Sequence, residues 1–223
     1  MKKTLIVIIA MLFAISVNAT TKTVHVVPEN ARIFVNGVEV GSGSHPIKFA
    51  RGEDFVVLRF EAPGFITRSF RLQRNDPRRT IQYTLFEDEA LRNSFGAEGA
   101  SMIANSFFSL TVRDGMTTDE IWRRLMNIAV RNFENIEVRD QAAGWIRSAW
   151  VNTTFSHQIV RTRLEIQSEF LGEGKLAYRV RVSSEIADRE CGTNPQCFVT
   201  YDRVLRRFED LINELRVALG SDL

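Results

Sequence analysis

The chain is poor in the residues that usually carry chemistry. Its 223 residues hold two cysteines, three histidines and five prolines. The histidines (His25, His45, His157) are scattered without metal-ligand spacing. No His-Glu-x-x-His pair, Gly-x-Ser-x-Gly elbow or phosphate-cradling glycine loop occurs, so no catalytic residue, metal or cofactor is expected. Ser42, Ser44 and His45 are neighbours, but a triad also needs an orienting acid that sequence proximity does not supply. Lysine is scarce: beyond residue 19 only Lys22, Lys48 and Lys175 occur, against 24 arginines. Beyond residue 15 no apolar run is long enough to span a bilayer, which takes about 20 residues. What is present, 44% hydrophobic and 25% charged residues, is ordinary for a folded protein and excludes a disordered tail or a collagen-like fibre.

Residues 1–19 read as a separate object. Met1-Lys2-Lys3 is a positive start, Leu5 to Ile15 an apolar run, and Ser16-Val17-Asn18-Ala19 offers small or aliphatic residues for cleavage after Ala19. That is the layout of a Sec signal peptide. It predicts a periplasmic or secreted protein that does not span the membrane once cut. No cysteine stands at the cleavage point, so no lipid anchor is expected. Removing the segment takes away two lysines and no acid, leaving 27 basic against 27 acidic residues. A neutral, exported chain is not expected to bind nucleic acid.

Cys191 and Cys197 bracket Gly-Thr-Asn-Pro-Gln, whose Gly192, Asn194 and Pro195 favour turns. In an oxidising compartment such a pair is expected to form a disulfide. A zinc half-site would want more ligands, and a redox pair usually has two intervening residues.

From residue 20 to 85 short alternating runs are punctuated by turns, as in an all-β sandwich. Asn36-Gly37 is the strongest hairpin signal. Gly41 to Pro46 reads as a loop. Pro28-Glu29-Asn30-Ala31-Arg32-Ile33-Phe34-Val35-Asn36-Gly37-Val38-Glu39-Val40-Gly41 resembles the PEGA domain signature, and Ala62-Pro63-Gly64-Phe65 is similar to its later Lys-Pro-Gly-Tyr element. Asn30 stands where the family has glycine. The resemblance implies an adhesive or spacer module of envelope proteins, without catalysis.

Residues 86–101, acidic and then rich in glycine and small residues, read as a linker with a helical turn near Ala90. Over 102–223 the expected order is β-α-β-β-β-β-α, an antiparallel sheet with two helices on one face. The spacing predicts strands at Ile103–Val112, Ile136–Arg139, Gly144–Thr153, Gln158–Phe170 and Leu176–Ile186. Thr117-Thr-Asp-Glu120 is a capping box opening a helix, and Phe198–Leu219 reads as a long amphipathic helix stopped by Gly220. The element order, with Thr117-Thr-Asp-Glu-Ile-Trp122 and Gly144-Trp145-Ile146, resembles the helix-grip domains of the BamC outer-membrane assembly lipoproteins. That resemblance implies an α+β helix-grip fold making scaffolding contacts.

The candidate interaction surface is the outward face of that sheet, with Arg147, Arg161, Arg163, Arg179 and Arg181 beside Trp145 and Trp150. One reading is a face for an anionic or protein partner. The other, favoured by interleaved acids, is a solvated face laced with cross-strand ion pairs. Exposed tryptophans beside the arginines would favour the first. Arg68, Arg71, Arg74, Arg78 and Arg79 form a second cluster, read as a charged edge or a site for an anionic envelope polymer. The expected function is non-enzymatic binding of an envelope protein in assembly or adhesion. The alternative is cell-wall glycan on the sandwich, or an apolar ligand under Phe198–Leu219 lined by Leu164, Val180 and Phe208.

Overall fold

A computed structural model describes residues 21–95, 104–171 and 175–220. The leader reading of 1–19, residues 96–101 of the linker reading and the start of a strand at Ile103 lie outside the described residues. The protein is mostly β, with several sheets and few helices. It divides into two compact units between Glu87 and Asp88.

The first unit has seven strands: β1 (Lys22–Val27), β2 (Arg32–Val35), β3 (Val38–Ser42), β4 (Ser44–Ile47), β5 (Phe55–Glu61), β6 (Arg68–Gln73) and β7 (Thr80–Thr84). They form two sheets, of order β4-β1-β7 and β3-β2-β5-β6. The alternation puts Val24, Val26, Ile33, Leu58, Phe60 and Ile81 into one core cluster drawn from both sheets. Asn36 and Gly37 both have positive φ (49° and 87°) and join β2 to β3, the twist-matched hairpin turn that Asn-Gly favours. Asn30 needs no left-handed backbone; the turn there closes by the Ala31 N–H donating to the Pro28 carbonyl at 2.9 Å. The expected loop over Gly41–Pro46 is instead the end of β3 and most of β4, because Ser44 to Ile47 pairs with β1.

The second unit begins where a linker was expected. Asp88 accepts the Leu91 N–H at 2.8 Å and caps α1 (Glu89–Arg92), which is followed by β8 (Ser94–Phe95). Ala90 and Ser94 are buried, and the Ser94 hydroxyl donates to the Ala90 carbonyl at 2.7 Å. Next come β9 (Phe108–Thr111), α2 (Thr118–Asn132), β10 (Ile136–Asp140), β11 (Trp145–Ser148), β12 (Val151–Thr154), β13 (Gln158–Leu171) and β14 (Lys175–Asp188). The last elements among the described residues are β15 (Val199–Thr200), β16 (Val204–Leu205) and α3 (Leu211–Leu219). Thr117 caps α2 by accepting the Glu120 N–H, as the capping box predicts.

The long helix over Phe198–Leu219 is not formed. Val204 and Leu205 pair with Ser94 and Phe95, the Arg206 N–H donates to the Asn93 carbonyl at 2.9 Å, and Arg206–Phe208 is a 3₁₀ turn. A buried apolar run fits a strand as well as a helix, and the open edge of β8 decides between them. The expected order β-α-β-β-β-β-α is therefore corrected by added short strands at both ends. The main sheet runs β10-β11-β13-β14-β15, with β12 also on β13 and β9 on β14. On its inward side Ile121, Leu125 and Ile128 of α2 and Leu211 and Leu215 of α3 share a core with Val160, Leu164, Ile166, Val180 and Val182.

Candidate functional site

β13 and β14 pair antiparallel along their whole length, from Gln158 opposite Asp188 to Leu171 opposite Lys175. Side chains alternate between the two faces of such a ladder. Val160, Thr162, Leu164 and Ile166, with Tyr178, Val180, Val182 and Ser184, are buried. The face turned away from the helices carries Arg161, Arg163, Glu165, Gln167, Arg179, Arg181 and Glu185, and it is half-buried rather than bare.

Four aromatic rings cover that face, held by guanidinium groups. Arg147 lies over Trp145 at 5.5 Å from the ring centroid. Trp150 carries both Arg161 (4.6 Å) and Arg163 (4.4 Å). Phe198 meets Arg161 at 4.0 Å. Phe107 carries Arg179 (4.7 Å) and Arg181 (4.4 Å). Of these rings only the two tryptophans were singled out in the sequence. Phe107 was legible, since placing Phe108 and Leu110 inward puts Phe107 outward. Phe198 was hidden by its assignment to a helix.

Trp150 reaches this face because the strand expected over Gly144–Thr153 is interrupted. Arg147 sits opposite Glu165 but Val151 sits opposite Thr162, so three residues on one side (148–150) face two on the other. This is a β-bulge. The Ser148 hydroxyl accepts the Leu164 N–H at 3.0 Å, filling the gap in the ladder. Ile146 and Ser148 point inward and are fully buried, and regular alternation would send Trp150 after them. The extra residue turns it outward, onto the arginines.

The charges of the face are mostly matched. Arg161 pairs with Glu185, its Nε donating at 2.6 Å. Arg181 pairs with Glu165, a carboxylate only 6% exposed that also accepts from Gln167 at 2.9 Å. Arg147 lies 3.2 Å from Glu137, and Arg179 donates to the neutral Gln167 carbonyl at 3.1 Å. Arg163 differs: it stands opposite Ser183, and no carboxylate among the described residues lies within ion-pair distance. Burial and the neighbouring charge of Arg147 hold its guanidinium below the ordinary arginine pKa, with Arg181 adding to this and Glu165 and Glu137 opposing it. Four buried N–H donors here have no hydrogen-bond acceptor: Trp145 Nε1 and the Nε atoms of Arg147, Arg163 and Arg181. Arg147 Nε is thus near Glu137 but badly aimed at it.

The other candidates resolve differently. Cys191 and Cys197 stand within disulfide distance, with Cα atoms 6.1 Å apart. The arginine cluster of the first unit folds back on its own chain. Arg78 grips Asp76 through Nε (3.0 Å) and Nη2 (2.7 Å), Arg74 Nε donates to the Glu53 carbonyl at 2.7 Å, and Arg71 lies over Phe55 at 4.9 Å. The Arg78 side chain first, and then its backbone N–H, hold the Asp76 carboxyl well below the usual carboxylate range. A cleft of about 380 Å³ brings His25, Glu29, Ser42 and Ser44 together, rather than His45 with the serines. No side-chain hydrogen bond joins them among the described residues. Leu164, Val180 and Phe208, named for an apolar ligand, belong to one core cluster, with Phe208 stacked on Phe133 at 5.0 Å. No helix among the described residues is long and apolar enough to cross a membrane. No protein-family model matches the chain, and no curated protein matches it either.

Proposed function

We propose that the chain is a non-enzymatic protein of the cell envelope, exported by its N-terminal segment, that holds a protein partner on the outward face of the second unit's sheet. The first unit is taken as a PEGA-like sandwich that spaces or adheres, the second as a helix-grip-like scaffold. The Asn36-Gly37 hairpin and the shared core of the two small sheets support the first assignment. Helices α2 and α3 covering one side of a large antiparallel sheet support the second. The observation that carries the reading is the layer of arginines stacked on Trp145, Trp150, Phe107 and Phe198, because arginine and large aromatics are the residues that anchor protein interfaces. A glycan site would need ring faces open to a sugar, whereas these meet guanidinium groups.

The test is photo-crosslinking in the source cell. A benzoylphenylalanine replaces Asn152, exposed beside Arg161 on this face, or Val217, 77% exposed on α3. A discrete polypeptide adduct is expected from position 152 and not from 217. Adducts from neither position, or the same adducts from both, would count against the reading.

A further inference from the structure

The arginine face contains one incomplete position. Across β11, β13 and β14, Arg147, Glu165 and Arg181 form a row in register, and Arg163 lies two residues along β13 from Glu165. Diagonal neighbours on a sheet face are about 7–8 Å apart, within reach of long side chains. Arg163 therefore stands between two other guanidinium groups. Arg147 and Arg181 each have a glutamate beside them; Arg163 has none among the described residues. The Nε atoms of all three are buried and lack an acceptor. Closed to solvent, those atoms are out of an outside ligand's reach, but Arg163 also makes no ion pair or hydrogen bond through its terminal nitrogens among the described residues, so an acceptor for them would come from outside.

We propose that Arg163, flanked by Arg147 and Arg181, forms a seat for a single carboxylate presented by an acidic side chain of the partner polypeptide. The proposal rests on the protein-partner reading above and names the group that is recognised. Charge favours a small anion: the glutamates offset Arg147, Arg161 and Arg181, and Arg179 donates to the neutral Gln167, which leaves Arg163 as the arginine of this face with neither a carboxylate nor a hydrogen-bond acceptor among the described residues. Glu165 and Glu185 on the same face would repel a longer polyanion. Geometry selects a planar acceptor, since guanidinium and carboxylate form paired parallel hydrogen bonds. The Trp150 ring lies under the Arg163 guanidinium, 4.4 Å from its centroid, and supports it in place. The depressed pKa of Arg163 agrees, because burial and like charge are penalties that a bound anion would relieve.

The experiment uses the full chain labelled with ¹⁵N at arginine Nε, at constant ionic strength. It is titrated with N-acetyl-glutamate amide, with N-acetyl-glutamine amide, or with inorganic phosphate. The Arg163 resonance, assigned by its disappearance in Arg163→Met, is expected to shift saturably with the glutamate derivative and not with the glutamine one. That shift is lost in Arg163→Met when it is followed at Arg147 and Arg181. Linear shifts shared by all arginines would mean screening only, with the orphan donors served by water, and would overturn the seat. Tighter saturation by phosphate than by the glutamate derivative would overturn the carboxylate assignment. The unaltered chain supplies these outcomes, so they do not depend on the variant folding. A partner crosslinked at position 152 with no saturable shift removes the seat and leaves the function standing. A saturable shift with no crosslinked polypeptide does the reverse.

Discussion

Two arginines that look alike in the sequence should respond oppositely to removal of their charge. In Arg181→Met the mutation strips the cation from Glu165, which is 6% exposed. A hydrogen bond to a charged group contributes about 1.5–3 kcal/mol. The stack on Phe107 adds about 0.5–1 kcal/mol. Methionine keeps some packing of the stem, Gln167 still donates to the carboxylate, and the buried Arg181 Nε, which has no acceptor, is removed as well, so a net loss of about 1–2 kcal/mol is expected. Arg163→Met also forfeits one stack, on Trp150, of about 0.5–1 kcal/mol. Against this it removes a buried donor with no acceptor, a defect worth about 1–3 kcal/mol, and a cation facing Arg147 and Arg181. The balance is expected between no change and a gain of about 1 kcal/mol.

Urea unfolding followed by tryptophan emission separates the two. All three tryptophans (Trp122, Trp145, Trp150) lie in the second unit, so the signal reports that unit. With a slope of about 1–3 kcal/mol per molar, the two midpoints should differ by roughly 1 M, at unchanged slope. If Arg163→Met lowers the midpoint as far as Arg181→Met does, Arg163 has partners of its own and the incomplete position does not exist. A residue that recognises a ligand at the expense of stability is a common pattern in binding sites. Here the cost and the binding group would be the same side chain.

Five other substitutions have expected outcomes. Gly43→Ala should destabilise the first unit by about 1–3 kcal/mol, since the residue sits at positive φ and a Cβ would lie 2.5 Å from the Glu29 carbonyl oxygen; calorimetry of the thermal transition measures it. Ser148→Ala removes the acceptor of the Leu164 N–H at the bulge, at a cost of about 1–3 kcal/mol. Faster hydrogen exchange at Leu164 is the reading, and unchanged protection would show the bulge to be closed by another group. Arg161→Lys keeps the charge but loses the stacks on Trp150 and Phe198 and the forked contact with Glu185, for about 1–2 kcal/mol, whereas Arg123→Lys on the exposed side of α2 should stay within about 0.5 kcal/mol by urea midpoint. The Glu89 carboxyl, held below its ordinary pKa by the Ser156 backbone N–H and hydroxyl, favours the folded state above its unfolded value. That contribution is lost as pH falls through the lower folded value, so Glu89→Gln should flatten the acid limb of the stability curve.

The alternation of Gln158–Phe170 and Leu176–Ile186 was plain in the sequence, and with it the face on which each arginine lies. Strand registers were not. Arg161 and Arg163 are equivalent in a period of two; they differ because the register sets Glu185 opposite one and Ser183 opposite the other. The bulge was likewise invisible, since Trp145-Ile-Arg-Ser-Ala-Trp150 continues a regular alternation and only the Ser148 hydroxyl marks where it breaks. Short apolar pairs such as Val204-Leu205 were absorbed into a helical stripe, because their strand partner sits in a segment that read as linker.

The preference for arginine over lysine follows from the same geometry. In the first unit too, guanidinium groups lie over rings: Arg59 on Phe34 at 4.0 Å, Arg71 on Phe55 at 4.9 Å and Arg74 on Phe49 at 5.4 Å. An ammonium is compact and strongly hydrated and would leave those ring faces bare, while a guanidinium lies flat on them and still presents donors at its edge. The arginines thus cover aromatic surface that would otherwise be exposed and prone to unspecific association. Most of them have their edges occupied by glutamate or by backbone carbonyls, which makes the covering self-contained and explains why a chain so rich in arginine is neutral beyond residue 19. Arg71 on Phe55 leaves its edge to solvent, where water serves it. Arg163 is half-buried and has no acceptor among the described residues, and the same stacking that orders it on Trp150 holds its terminal nitrogens for an acid from another chain.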